Sequence, residues 1–155
     1  MRISAKGEYA TKAVLYLSLK YPQIATIHEV AEGHRIPIKY LEQILLALRK
    51  CGVLESRRGI HGGYTLARPP ERISLGEVLR AVDGKFSQTA CLRRDRDSPC
   101  ACPEAEACGL RRLWEELQET LDRVLFETSF AEIRRRTFAA REDRPGQALD
   151  AVTEK

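Results

Sequence analysis

At 155 residues the chain has room for one domain, or one domain with an appended element, and for a genuine core. Hydrophobic residues at 43% and charged residues at 31% are ordinary for a globular protein. No apolar run approaches the roughly 20 residues of a bilayer crossing, and the N-terminus lacks a signal-peptide core. Membrane and secreted classes are set aside on that basis, and a cytoplasmic protein is expected. The net charge of +4 is modest but unevenly placed: between Arg35 and Arg72, eight basic residues stand against three acidic ones, so that stretch carries +5. A basic module in an otherwise near-neutral chain suits a polyanionic partner, although a solvated basic face explains the charge equally well.

In chain order, Ser4 is placed to cap a first helix running to about Lys20, with Tyr9, Ala10, Ala13, Val14 and Leu17 on one face. Tyr21-Pro22 stops it, because the residue before proline avoids helical geometry. Thr26 and Glu29 form a capping box that opens a short second helix, failing near Gly33-His34. Pro37 suits the first turn of a third helix, in which Ile38, Leu41, Ile44, Leu45 and Leu48 recur at helical spacing until Gly52. Cys51, beside Gly52, reads as a small apolar side chain at the helix end.

After Gly52 the period changes. Residues 53–57 read as a strand, 58–62 as a Gly-bearing turn and 63–67 as the returning strand, ended by Pro69-Pro70. Ser74 and Glu77 form another capping box for a helix with Val78, Leu79 and Val82 inward. A long helix from about Gly109 to Glu127 carries Leu110, Leu113, Leu117, Leu121 and Val124 as an apolar stripe, with Trp114 and Leu125 alongside. A short segment follows, with Ser129 and Glu132 as a further capping box, and from Arg141 the chain turns polar around Pro145-Gly146. The expected fold is mainly α with a small β-hairpin: a winged helix-turn-helix domain plus a long dimerisation helix. Its expected divisions are a DNA-binding domain at 1–84, a cysteine-bearing loop at 85–108, the dimerisation helix with a short terminal helix at 109–138, and a disordered tail at 139–155.

Helix three exposes Lys39, Tyr40, Glu42, Gln43 and Arg49 around its apolar stripe, the first four near its N-terminal end. In a helix-turn-helix that end enters the major groove, where glutamine pairs with adenine, a carboxylate accepts from the cytosine amino group, and lysine reaches phosphate or guanine. Tyr40 also has the option of packing on the first helix. Arg57, Arg58 and His61 lie on the hairpin, within reach of phosphates or the minor groove.

Five cysteines leave one over if all were to pair, and four of them, Cys91, Cys100, Cys102 and Cys108, fall within eighteen residues. Pro99 and Pro103 make that stretch a loop, leaving thiolates free to converge on one centre. Structural zinc favours Cys-x2-4-Cys knuckles, which neither close spacing matches well, whereas iron–sulfur clusters tolerate looser spacing. Arg93, Arg94 and Arg96 nearby favour thiolate. A dithiol switch without metal and inert buried cysteines stay open on spacing alone.

Met1 to Ala10, Tyr40-Leu41-Glu42-Gln43-Ile44, Arg58 to Ala67, Gly76-Glu77-Val78 and Ala81-Val82-Asp83-Gly84 stand out as motifs. Together they resemble a known family, the IscR, NsrR and CymR group of bacterial winged-helix repressors (the Rrf-two family), over roughly residues 1–138. It implies a homodimer on an approximately palindromic double-stranded DNA operator, no enzymatic activity, and three cluster-binding cysteines ahead of the dimerisation helix, a role that Cys91, Cys102 and Cys108 fit. IscR-like members place a histidine three residues past the last cysteine, where this chain has Arg111. NsrR-like members take a carboxylate from the partner's first helix, the place Glu8 occupies. Cys100 or Glu8 would complete the site. The resulting expectation is a DNA-binding transcriptional regulator controlled by an iron–sulfur cluster, 2Fe–2S ahead of 4Fe–4S, that senses redox, iron or cluster status. A regulator using zinc or a dithiol in the same loop is the alternative, and an iron–sulfur electron-transfer protein stands behind both.

Overall fold

The computed structural model describes residues 3–59, 62–84, 92 and 107–143. Helix α1 (Ala5–Lys20) starts where Ser4 Oγ accepts a hydrogen bond from the Gly7 amide at 2.9 Å, satisfying one of the amides a helix start leaves open. Its apolar face, Ala10, Ala13, Val14 and Leu17, lies wholly inside the core. Helix α2 (Ile27–His34) opens with the reciprocal capping box of Thr26 and Glu29. Lys20, at the end of α1, joins Glu29 at 2.8 Å, and that bond holds the carboxyl below and the ammonium above their ordinary values.

Helix α2 ends at His34, where the sequence placed its end, and the chain then turns into helix α3 (Ile38–Lys50). A Cβ at Gly33 would come within 2.4 Å of the Tyr16 ring, so this glycine allows α1 and α2 to pack closely. Arg35 closes the helix in the left-handed capping conformation, with φ 52° and ψ 47°. Pro37 precedes the first turn of α3 as its N-cap, its carbonyl accepting from the Tyr40 and Leu41 amides at 3.0 Å. Leu41, Ile44, Leu45 and Leu48 bury the inner face of α3. Cys51 is exposed rather than tucked in. The backbone leaves the helix at that residue, and Val53, whose amide bonds the Leu48 carbonyl at 3.0 Å, fills the core position instead.

Strands β1 (Leu54–Arg57) and β2 (Gly63–Leu66) form an antiparallel hairpin in which Leu54 faces Leu66 and Arg57 faces Gly63. Near its turn end the hairpin is held by Ala25, which exchanges both backbone hydrogen bonds with Tyr64 at 2.9 and 2.8 Å. Gly63 has no room for a Cβ there, since one would fall 2.4 Å from the Ala25 carbonyl oxygen. A short 3-10 turn, Pro70–Arg72, leads into helix α4 (Leu75–Asp83), which carries the Ser74–Glu77 capping box.

Helix α5 (Gly109–Glu127) packs its C-terminal end on α4: the Phe126 ring covers Gly76, and the Arg80 guanidinium lies 4.4 Å from its centre. Helix α6 (Phe130–Glu142) then returns along α1. Paired backbone bonds, Leu75 to Thr128 and Phe130 to Ile73, both 2.9 Å, tie the α5–α6 corner to the start of α4. Phe130 is buried in the core, and Arg134 donates to the Ser18 carbonyl at 3.3 Å. Helix α6 runs to Glu142, beyond the short segment read from the sequence. Ser129 caps the Glu132 amide as expected, but the Glu132 carboxylate pairs with Arg135 and Arg136 instead of closing the box. Among the described residues no helix is long and apolar enough to cross a membrane.

Candidate nucleic-acid interface and cysteine segment

Helix α3 is half of a helix-turn-helix whose inner face is anchored in the core, so its outer face is presented outward. Lys39, Glu42, Gln43 and Lys50 are exposed there, and no hydrogen bond among the described residues engages Lys39, Glu42 or Gln43. Their polar atoms are therefore available to a partner. Tyr40 packs on the first helix, its ring meeting Tyr9 of α1 edge-on with centroids 6.2 Å apart, and stays 55% exposed.

Arg49 plays a different part from the first four. Its Nη1 donates to Ser56 Oγ at 3.1 Å, bracing the end of α3 against β1. Arg57 and Arg58 are exposed at the hairpin tip, where Gly59, at φ 116°, accepts from the Gly62 amide at 2.9 Å. His61 lies outside the described residues. Helix face and hairpin tip are adjacent in the chain and joined by the Arg49–Ser56 bond, which is the geometry of a recognition helix beside a wing. Leu46 and Lys50 were not singled out by sequence reasoning. Both lie on the outer line of α3 with Lys39 and Gln43, and counting by sevens and fours from Lys39 would have found them.

Of the five candidate cluster ligands, Cys91, Cys100 and Cys102 lie outside the described residues. Cys108 is half-buried and is the N-cap of α5, where its side chain makes no capping hydrogen bond. Glu8 is exposed in the first turn of α1 and pairs with Lys12 at 2.6 Å. An exposed pair of this kind is worth little, so the carboxylate is held only loosely. Arg111, at the position the resemblance gives to histidine, points its Nε at Glu115 at 3.1 Å. Among the described residues, no three His, Cys, Asp or Glu side chains converge as a metal site.

Comparison with known proteins agrees with this arrangement. Residues 3–136 match the Rrf2 family, described as iron-dependent transcriptional regulators. The chain is 40% identical over 120 residues to an rrf2-like HTH-type transcriptional regulator of Rhodobacter capsulatus, covering 74% of this chain and 80% of that protein. It is 33% identical to the HTH-type transcriptional regulator IscR of Erwinia tasmaniensis, over 86% of this chain and 78% of the relative. Among solved structures, CymR, the global cysteine regulator of B. subtilis, superposes with a TM-score of 0.73 at 26% identity, covering 88% of this chain and 98% of that one. The recognition helix, the wing and these matches together make the chain a member of the Rrf2 family of transcriptional regulators.

Proposed function

We propose that this regulator acts as a homodimer on an approximately palindromic operator, with its DNA affinity set by an iron–sulfur cluster. The observation that carries the DNA part is the outward face of α3, with Lys39, Glu42 and Gln43 uncommitted beside the exposed Arg57 and Arg58. Twofold symmetry presents two such faces to half-sites on one side of the duplex. The cluster would be held by Cys91, Cys102 and Cys108, with Cys100 or Glu8 as the fourth ligand and 2Fe–2S the favoured form. The environment of Cys108 supports that role: it is a half-buried thiol at a helix start that makes no capping hydrogen bond among the described residues. When bound, the cluster supplies an oxidisable crosslink whose loss frees the segment it ties down. Cys108 heads α5, so a constraint at this residue bears on the orientation of that helix, and through its packing on α4 on the winged domain. A ligand-dependent shift between two orientations is then the switch.

The test is anaerobic purification, followed by absorption spectroscopy, iron and sulfide analysis, and DNA-binding titrations of cluster-loaded and cluster-free protein. Iron–sulfur charge-transfer bands, lost in Cys108→Ala, are expected. Full iron and sulfide content in Cys108→Ala overturns the cluster assignment. Zinc without visible bands, or neither metal, points to the zinc or dithiol form of the same regulator. Between the fourth ligands, loss of cluster in Cys100→Ser with retention in Glu8→Ala assigns Cys100, and the converse assigns Glu8.

A further inference from the structure

Leu46 is an anomaly on α3. The helix repeats every 3.6 residues, so a residue seven positions from Lys39 falls within about 20° of it around the axis. Leu46 therefore lies on the midline of the outward face, with Glu42 and Gln43 one turn before it and Lys50 one turn after. The core-facing line, Leu41, Ile44, Leu45 and Leu48, is on the other side of the helix and completely buried. Leu46 is 44% exposed. The other exposed apolar residues of α3 are placed differently. Tyr40 is propped on Tyr9, and Ile38, at the first position of the helix, is about a quarter turn off the midline.

We infer that Leu46 reads the 5-methyl group of a thymine in the major groove. This rests on the proposal that the same face of α3 enters that groove. A branched alkyl side chain amid Lys39, Glu42, Gln43 and Lys50 has no hydrogen bond to offer a base edge. The thymine methyl is the one apolar feature the major groove displays. Opposite cytosine the same side chain would cover the N4 amino group without accepting its proton, and an uncompensated buried polar group is costly. Leu46 thus favours thymine by contact and disfavours cytosine by desolvation, and does so one turn beyond the residues suited to hydrogen-bonded readout.

The experiment uses the full chain and the tightest-binding duplex recovered by selection from a randomised 30-base-pair library (~30 base pairs, enough for two half-sites about one helical turn apart). Each thymine in that duplex is replaced singly by deoxyuridine, which removes the methyl group and nothing else, and affinity is read by fluorescence anisotropy. Wild-type protein is expected to lose about fourfold in affinity at one position per half-site, the worth of one buried methyl. Leu46→Ala should bind the thymine and uracil duplexes alike at that position, and Leu46→Met should keep the discrimination. Leu46 is exposed and alanine is the stronger helix former, so the fold is not at stake. A wild-type protein indifferent to every uracil substitution, or a Leu46→Ala protein with an unchanged thymine-to-uracil ratio, overturns the inference while leaving DNA recognition by α3 intact. Failure to select any duplex overturns the recognition reading and this inference with it.

Discussion

If α3 enters the major groove as proposed, the Glu42 carboxylate repels phosphate and can contribute only to selectivity, not to general affinity for DNA. Arg58, at the exposed hairpin tip, is the reverse case, a cation that any duplex attracts. Arg58→Ala is expected to weaken binding to selected and unrelated duplexes by similar factors and to reduce the salt slope by about 1. Glu42→Ala should instead change the preferred bases, most directly at a cytosine. Titration at several salt concentrations separates the two, and an unchanged preference in Glu42→Ala removes that residue from base readout. His34 makes a prediction of another kind. Burial holds its imidazole below the ordinary 6.5, and the positive charges of Lys12 and Arg141 push the same way, while the Tyr16 ring meets it edge-on. The unfolded chain takes up this proton first as pH falls. Stability is therefore undiminished above about 6.5 and drops as pH descends from there through the folded-state value. Thermal melts from pH 7.5 down to pH 5 (approximately the range between ordinary histidine and carboxylate titration) should show that decline in wild type and a shallower one in His34→Gln. Equal slopes would mean that His34 does not contribute.

Within single elements, helix starts give the clearest contrast. At Ser74 the box is closed: the hydroxyl accepts the Glu77 amide at 3.2 Å, and the Glu77 carboxylate accepts the Ser74 amide at 2.9 Å. At Ser129 only the first of these bonds exists, because Arg135 and Arg136 draw the Glu132 carboxylate away and lower its pKa. Ser74→Ala is expected to cost about 1 kcal/mol, since its loss also leaves Glu77 without half of the box, and Ser129→Ala less. Urea unfolding at one fixed protomer concentration tests the order, and a larger loss at Ser129 would contradict it. The same contrast shows what the sequence could and could not disclose. Ser4, Thr26 and Ser74 were legible as caps because a cap acts within four residues. Glu132 was misread although its competitors are equally local: Arg135 and Arg136, three and four residues on, offer its carboxylate charged partners that a capping-box pattern does not weigh against the backbone amide. The end of α2 near Gly33-His34 was legible, but the close approach that Gly33 permits was not, because it depends on the Tyr16 ring, seventeen residues away in sequence. In the candidate interface, Lys39, Glu42, Gln43 and Arg58 followed from helical period and hairpin position alone. The brace from Arg49 to Ser56, and the outward placement of Leu46, depend on how α3 sits on the core.

At the scale of the whole molecule, the core of the winged domain is closed and the long helix is not. Its stripe should be the best-covered part of α5 if the helix served only its own chain. Leu110, Leu113, Leu117 and Val124 are instead 58, 49, 43 and 56% exposed, and only Leu125 is buried, near the α4 contact. Leu110, Leu117 and Val124 recur every seven residues, the spacing that keeps one seam facing a neighbouring helix. A monomer would leave that seam in water, and two copies packed along α5 would cover it in both. Charged substitution at this seam should therefore act on assembly before it acts on folding. Leu113→Glu with Leu117→Glu is expected to give monomer by sedimentation at micromolar concentration (~1 μM, where an association of about 8 kcal/mol is half dissociated), with helical content retained. Operator affinity should fall far more than affinity for a single half-site, because each winged domain alone keeps its own contacts and loses only its partner's. Wild-type protein sedimenting as a stable monomer at the same concentration would contradict the dimer. A double variant that stays dimeric would place the interface elsewhere on the molecule.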